Sequence, residues 1–356
     1  MVAEGGPMPN GPTPGSPTPD GPPPAASRIA AVRLASAGFA AAAREQLFER
    51  GFVVVRVSGR EAAALWRCSK AATEYFTHTP EDAKHQHTHT FRDRGGGIGL
   101  VGWSRPHVAK EVLRCRRGRL GSAFLPACPL DLRQSILAAF DVVEACAVRV
   151  WNAVAPPRCP TLRHLGVQLG AAAAALEAAD EGVADECFVD EAESDEAESE
   201  KAESDEAECV AGDVSDDASA DDASASAAAD VSASPFDLMF YANDFLHAAL
   251  PNSTAHVDSP GLLTVVAISA TPGLSILDQL SGAWVAIEEL FEPHSHMVVF
   301  AAAALQKLAN GQIAALTHKV DRHEKPRLSI VYELRAESDV AMRILAGGPR
   351  APRPDD

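Results

Sequence analysis

Three side chains of types that bind transition metals stand in a distinctive pattern in the second half of the chain. His256 and Asp258 are two residues apart, just before the apolar run GLLTVVAIS, and His318 follows much later, in ALTHKV. Residues two apart on an extended segment point to the same side, so an imidazole and a carboxylate can bind one ion. Two histidines and one carboxylate form the facial triad that holds non-haem Fe(II) with open coordination positions. The pattern predicts a non-haem iron site, and these three residues are called the metal triad below.

A second pair of polar residues follows the distal histidine. In RLSIVYEL, Arg327 and Ser329 share one face of a predicted strand. A guanidinium can bind a carboxylate through two parallel hydrogen bonds, and a neighbouring hydroxyl can add a third. The alternative interpretation is a surface arginine paired with an acid. Beside an iron-type triad, this carboxylate clamp (Arg327 and Ser329) suits a dicarboxylate cosubstrate.

The elements that must position these side chains are predicted to be short strands. After Pro235 the chain alternates apolar runs with turn residues, a texture typical of a sandwich or barrel. Before it, the spacing predicts helices, the longest over 130–154, and a helix that ends near Gly51 ahead of a short buried strand over 52–57. The run GGGIGLVG (95–102) predicts a flexible loop. The fold class is therefore mainly β with flanking helices (α+β).

Several segments of the chain resemble the motifs of a known protein family. Residues 236–334 resemble the catalytic jelly roll of the plant-type Fe(II)/2-oxoglutarate dioxygenases, the group that includes isopenicillin N synthase. HVDSPGLLTVV is similar to the first metal-binding motif, and PGLSILDQLSGAWVAIEE is similar to the hairpin that follows it. HMVVFAAAALQKLANGQIAALTHKV is similar to the second-histidine motif, and PRLSIVYEL to the R-x-S cosubstrate motif. FERGFVVVRV and TEYFTHTPEDAK resemble the N-terminal domain of the family more loosely.

The resemblance implies a double-stranded β-helix (jelly roll) core with a helical N-terminal domain. It implies oxidation, most often hydroxylation, of a small organic substrate, with release of succinate and CO2. The implied cofactors are Fe(II), 2-oxoglutarate and O2, with ascorbate as a further candidate, and no catalytic side chain beyond the metal ligands is expected. The implied site residues fall into two sets, the iron ligands His256, Asp258 and His318 and the 2-oxoglutarate residues Arg327, Ser329 and Tyr241.

Two other functions stay open at this stage. Some relatives are Fe(II) oxidases that keep an R-x-S motif without using 2-oxoglutarate, so the clamp does not identify its ligand. A non-catalytic jelly-roll scaffold is the other alternative. Ala302 and Ala303 replace the Gly-Asp pair that the family usually has, which favours a scaffold. The metal triad and the clamp are both present, which favours catalysis.

The acidic charge of the chain is confined to one segment. Residues 185–230 hold 19 acidic residues and one lysine, and so account for the whole formal charge of −18. The neutral remainder lacks the basic surface of a nucleic-acid-binding protein. No apolar run approaches the ~20 residues that a bilayer crossing needs, so no membrane association is expected. We interpret the segment as a solvated insertion, and a docking site for a protein partner is the alternative.

Composition also predicts the organisation and the compartment. The seven cysteines form no C-x-x-C pair, which predicts reduced thiols in a cytoplasmic protein, with an organelle as the alternative. The predicted segments are a disordered tail (1–38), a helical N-terminal domain (39–170), an acidic insertion (171–234), a jelly-roll domain (235–338) and a C-terminal tail (339–356).

Overall fold

Two β-sheets carry the residues of interest. The computed structural model describes residues 29–86, 88–92, 98–118, 123–124, 128–156, 161–186, 231–243 and 251–347. In spatial order, the larger sheet comprises β1 (Ala31–Arg33), β2 (Phe52–Arg56), β12 (His296–Ala301), β9 (Leu263–Ala267), β14 (Arg327–Leu334), β7 (Pro235–Tyr241), β5 (Lys110–Arg117), β4 (Ile98–His107) and β3 (His89–Arg92), with β6 (Ala123–Phe124) paired to β5. The smaller sheet comprises β11 (Ala283–Ala286), β10 (Leu274–Asp278), β13 (His318–Val320) and β8 (Ser253–His256).

The described residues form seven helices, and the first four of them contact the larger sheet. They are α1 (Phe39–Arg50), α2 (Gly59–His78), α3 (Glu81–His85), α4 (Leu130–Val154), α5 (Ala171–Glu186), α6 (Ala303–Leu308) and α7 (Ser338–Leu345), with a 3₁₀ turn at Ile287–Glu289. The central helix α4 contacts α1, α2 and α5 as well as β9 and β14. Among the described residues, none of the helices combines the length and the hydrophobicity needed to cross a bilayer.

Local sequence signals explain where several elements begin and end. Gly51 ends α1 with φ of 80°, in the left-handed region that favours glycine, and its N–H donates to Leu47 O. The next residues, FVVV, are β-branched or aromatic and fully buried, so they form the strand β2. Ser58 and Glu61 form a capping box that starts α2. Helix α4 has the bounds that its periodicity predicts.

The α+β class is confirmed, but the description of the N-terminal part as helical is incomplete. Strand β2 pairs with β12 and β5 pairs with β7, so early strands extend both sides of the sheet built by the later ones. The loop predicted over 95–102 is wrong from Ile98 onward, where β4 begins. Strand β2 was predicted, but β4 and β5 were missed because glycines interrupt β4 and because β5 contains charged residues throughout, KEVLRCRR, and ends in buried arginines.

Several predicted segment boundaries fall partly outside the described residues. From Ala31 onward the described residues belong to one compact unit. Within the predicted tail, β1 pairs in parallel with β2, so regular structure starts before residue 38. The start of the predicted insertion forms α5, which contacts α4. The last residues of the predicted insertion, 231–234, are buried. Within the predicted C-terminal tail, α7 contacts α6.

Candidate metal centre and carboxylate clamp

Strand pairing brings the two histidines of the metal triad together. His256 ends β8 and His318 begins β13, and the two residues are direct partners in the antiparallel pair. Their ring centroids are 4.3 Å apart. Asp258 lies two residues beyond the end of β8, and its Oδ1 lies 3.4 Å from His256 Nε2 and 3.7 Å from His318 Nε2. The three candidate ligand atoms lie within 4.8 Å of one another.

Hydrogen bonds outside the triad orient these ligand atoms. The Nδ1 of His256 lies 2.8 Å from Thr254 O, and the Nδ1 of His318 lies 3.5 Å from Leu316 O. A carbonyl can only accept, so these contacts favour the tautomer that leaves the Nε2 lone pair for a metal. The Thr264 hydroxyl donates to Asp258 Oδ2 at 2.6 Å, which leaves Oδ1 facing both Nε2 atoms.

The electrostatics favour the metal-binding protonation state at Asp258 and His318, whereas the Asp258 carboxylate favours the protonated form of His256, which must lose that proton to bind a metal. Burial acts to raise the pKa of Asp258, but the hydrogen bond with His256 and the nearby His318 outweigh it, and the pKa lies below its usual value. Burial lowers the pKa of His318, whereas the hydrogen bond to Asp258 raises the pKa of the more exposed His256. At neutral pH the site therefore offers an anionic carboxylate and a neutral His318 imidazole.

The clamp residues meet on the larger sheet. Arg327 and Ser329 share one face of β14, and the Arg327 Nη1 donates to Ser329 Oγ. Tyr241, on β7, is the direct strand partner of Arg327, and the guanidinium carbon lies 5.6 Å from its ring centroid. The Tyr241 hydroxyl donates to Met239 Sδ at 3.7 Å. The three predicted cosubstrate residues thus lie at one place.

One cavity between the two sheets is lined by all six predicted site residues. Apolar side chains from several strands share its wall, including Val266, Leu274 and Val331. Charged side chains also line it, among them Lys110 and Glu333. Burial raises the pKa of Glu333, although Arg335 Nε donates to its carboxylate at 2.8 Å. The remaining lining residues are Met239, Ser253, Thr264 and Val320.

Glu288 is the main residue of this region that the sequence pattern did not identify. Its carboxylate accepts from Arg327 Nε at 3.3 Å and from Arg327 Nη2 at 2.8 Å, and both side chains are completely buried. A buried guanidinium needs a counter-charge, so a pairing of Arg327 with an acid was foreseeable. The chain holds 49 acidic residues, and no local sequence pattern indicates which of them pairs with Arg327.

The alanines that depart from the family motif support the metal triad through their backbones. Ala302 N–H donates to Leu262 O, and Ala303 N–H donates to Asp258 O, both at 3.0 Å. Ala302 is extended and precedes α6, which begins at Ala303. The turn beside Asp258 therefore forms with main-chain hydrogen bonds and needs no aspartate side chain at this position.

Comparisons with known proteins identify the fold. No protein-family model matches the chain, and no curated protein matches its sequence. Among solved structures, the dioxygenase for auxin oxidation from rice has a TM-score of 0.52 at 20% identity, over 88% of this chain and 84% of that one. A full-length Neurospora crassa protein, solved in complex with α-ketoglutarate and thymine, has a TM-score of 0.53 at 15% identity, over 86% and 91% of the two chains. The chain therefore has the fold of these two proteins.

Proposed function

We propose that this protein is an Fe(II)- and 2-oxoglutarate-dependent oxygenase that oxidises, most simply by hydroxylation, a small organic substrate. The observation that carries the proposal is the placement of the metal triad and the clamp around one cavity. Solved structures of the same fold include complexes with α-ketoglutarate. The overall reaction would consume 2-oxoglutarate and O2 and release succinate, CO2 and the oxidised product. In the same proposal, the two sheets form a double-stranded β-helix.

The donor set of the metal triad fits Fe(II). Two imidazole nitrogens and one carboxylate oxygen are the ligands of the facial iron triad, and they leave coordination positions for other ligands. Donor separations of 3.4 and 3.7 Å are close to those expected around an ion bonded at about 2 Å. Bound iron would supply the redox chemistry with O2 that no side chain provides.

The protein residues would bind, orient and shield the reactants. His256, Asp258 and His318 would hold the metal, and the Thr264 hydroxyl would fix the Asp258 carboxylate that faces it. Arg327 and Ser329 would bind the far carboxylate of 2-oxoglutarate, with Tyr241 beside the guanidinium. The apolar wall of Val266, Leu274 and Val331 would exclude water from the reacting atoms.

The test is reconstitution of the purified protein with Fe(II) followed by measurement of succinate release from labelled 2-oxoglutarate. Candidate small molecules are screened for stimulation of that release. We expect His256→Ala and Asp258→Ala to abolish metal binding and turnover. His164→Ala is the matched control because His164 is exposed and is not part of the metal triad. Succinate release that survives either triad substitution would refute the proposed site.

A specific observation favours a second candidate, a 2-oxoglutarate-independent Fe(II) oxidase. Arg327 is already neutralised by Glu288, so the buried guanidinium does not require a carboxylate ligand to balance its charge. Oxygen consumption without 2-oxoglutarate consumption would support this candidate. Iron binding without any turnover would instead support the non-catalytic scaffold.

The partner and the compartment stay predictions. We propose a small-molecule substrate, because solved structures of this fold include complexes with thymine and 5-formyluracil. Docking of a protein partner on residues 185–230 stays a prediction from the sequence. Of this segment, only residues 185 and 186 are among the described residues. Cytoplasmic localisation is likewise proposed from the sequence alone.

A further inference from the structure

The buried pair of Glu288 and Arg327 goes beyond what the proposed function requires. Glu288 lies in the 3₁₀ turn Ile287–Glu289, on the smaller-sheet side of the clamp, and does not line the cavity that Arg327 lines. Neither side chain is exposed to solvent. A fully buried ion pair of this kind is costly to desolvate, and removal of one partner leaves the other as an uncompensated buried charge.

Glu288 is itself fixed by the main chain. Its Oε1 accepts the N–H of Ser269 at 3.1 Å, and its Oε2 accepts the N–H of Leu274 at 2.8 Å. Together with the two bonds from Arg327, each carboxylate oxygen therefore accepts two hydrogen bonds. Because two separate segments fix the Glu288 carboxylate, its position does not depend on Arg327. The carboxylate therefore determines where the Arg327 guanidinium lies.

This arrangement determines which edge of Arg327 remains for a ligand. Nε and Nη2 form one edge of the guanidinium, and both donate to Glu288. Nη1 donates to Ser329. By count, the five N–H groups of the guanidinium then leave one on each terminal nitrogen. The main chain at Gly273 packs closely against the Arg327 stem, since a Cβ there would lie 3.1 Å from Arg327 Cδ and 3.2 Å from Nε.

We propose that Glu288 is a positioning residue that holds Arg327 at a fixed depth and so sets the length of dicarboxylate that fits between metal and clamp. The inference rests on the proposed function, since it concerns the cosubstrate site. With Glu288 in place, the ligand carboxylate meets the terminal nitrogens of the guanidinium. Without it, the guanidinium can withdraw into the space behind the strand, away from the metal triad.

The test compares two ligands of different length in a binding experiment. The protein is loaded with Mn(II), and calorimetry measures the dissociation constants of 2-oxoglutarate and of 2-oxoadipate, which is one methylene longer. For Glu288→Ala we expect unchanged Mn(II) affinity, at least tenfold weaker 2-oxoglutarate binding, and a preference ratio shifted at least fivefold towards 2-oxoadipate. Glu289→Ala is the matched control, because Glu289 is the adjacent, exposed acid of the same turn. It should leave both constants unchanged.

A second variant keeps the test decisive if Glu288→Ala does not fold. Glu288→Asp keeps the charge but shortens the side chain by one bond of about 1.5 Å, so it should draw the guanidinium back and shift the ratio in the same direction. A wild-type ratio in either folded variant would overturn the inference. Absence of 2-oxoglutarate binding by the wild-type, Mn(II)-loaded protein would instead refute the proposed function, and the wild-type measurement reports that failure separately.

Discussion

The hydroxyl of Thr264 offers a sharp test of how the metal triad is held. It donates to Asp258 Oδ2 at 2.6 Å, and Thr264 is only 1% exposed. Thr264→Val keeps the shape of a buried strand residue and removes only this hydrogen bond. Bonds to charged groups are worth about 1.5–3 kcal/mol, and losing an outer partner of a metal ligand typically costs about 10- to 100-fold in affinity. We therefore expect metal binding to weaken by at least about tenfold, or about 1.4 kcal/mol.

Calorimetric titration of the apo protein with Mn(II) measures this effect directly. Thr271→Val is the matched control, because the Thr271 hydroxyl donates to Pro326 O at an exposed position. A control affinity equal to that of the wild type shows that removal of a threonine hydroxyl is harmless in itself. If Thr264→Val binds Mn(II) within twofold of the wild type, the carboxylate is oriented by other contacts and the reasoning fails.

Three further perturbations test the clamp, the core and the acidic segment. Arg327→Ala should raise the dissociation constant of 2-oxoglutarate about 10- to 150-fold, because a charge-assisted contact of about 1.5–3 kcal/mol is lost, and calorimetry that finds no change would exclude the clamp. Glu144→Ala should lower the free energy of unfolding in urea by about 1–3 kcal/mol, because the buried Arg117 then keeps, among the described residues, only Asp141 as an acidic partner and the buried Gly170 N–H loses its acceptor; a loss below about 0.5 kcal/mol would contradict this. Deletion of residues 191–226 should leave the melting temperature unchanged, and insoluble protein would show that this segment is structural.

Much of the candidate site could be predicted from the sequence because most of its residues lie on strands, where side chains alternate with a period of two. Arg327 and Ser329 share one face of β14 by that period, and Asp258 lies two residues beyond His256, just past the end of β8. The antiparallel register that sets His318 opposite His256 depends on distant segments, and the motif resemblance identified only His318 as the third ligand, not its strand partner. The spacing alone could not have placed the clamp across the same cavity.

The features that escaped prediction are charged groups that become buried through partners far along the chain. Arg114 on β5 is bound by both oxygens of Asp237, and this ion pair makes a strand that looks like a solvent-exposed segment part of the sheet. Glu288 follows the same logic, because its burial depends on Arg327 and on two backbone N–H groups. Hydropathy scores each residue alone, so it cannot represent charges that neutralise each other only after folding.

The interleaving of early and late strands in the larger sheet has a consequence for how the molecule is made. On a ribosome, β2 and β5 emerge long before β12 and β7, the strands that they pair with. Strands β2 and β5 therefore have unpaired hydrogen-bonding edges until the later strands are synthesised. This state favours chaperone capture and slows folding. For the same reason, a fragment that begins at Pro235 would keep the whole metal triad, but β12 and β7 would lose their early partners. The two unpaired sheet edges would then be open to self-association.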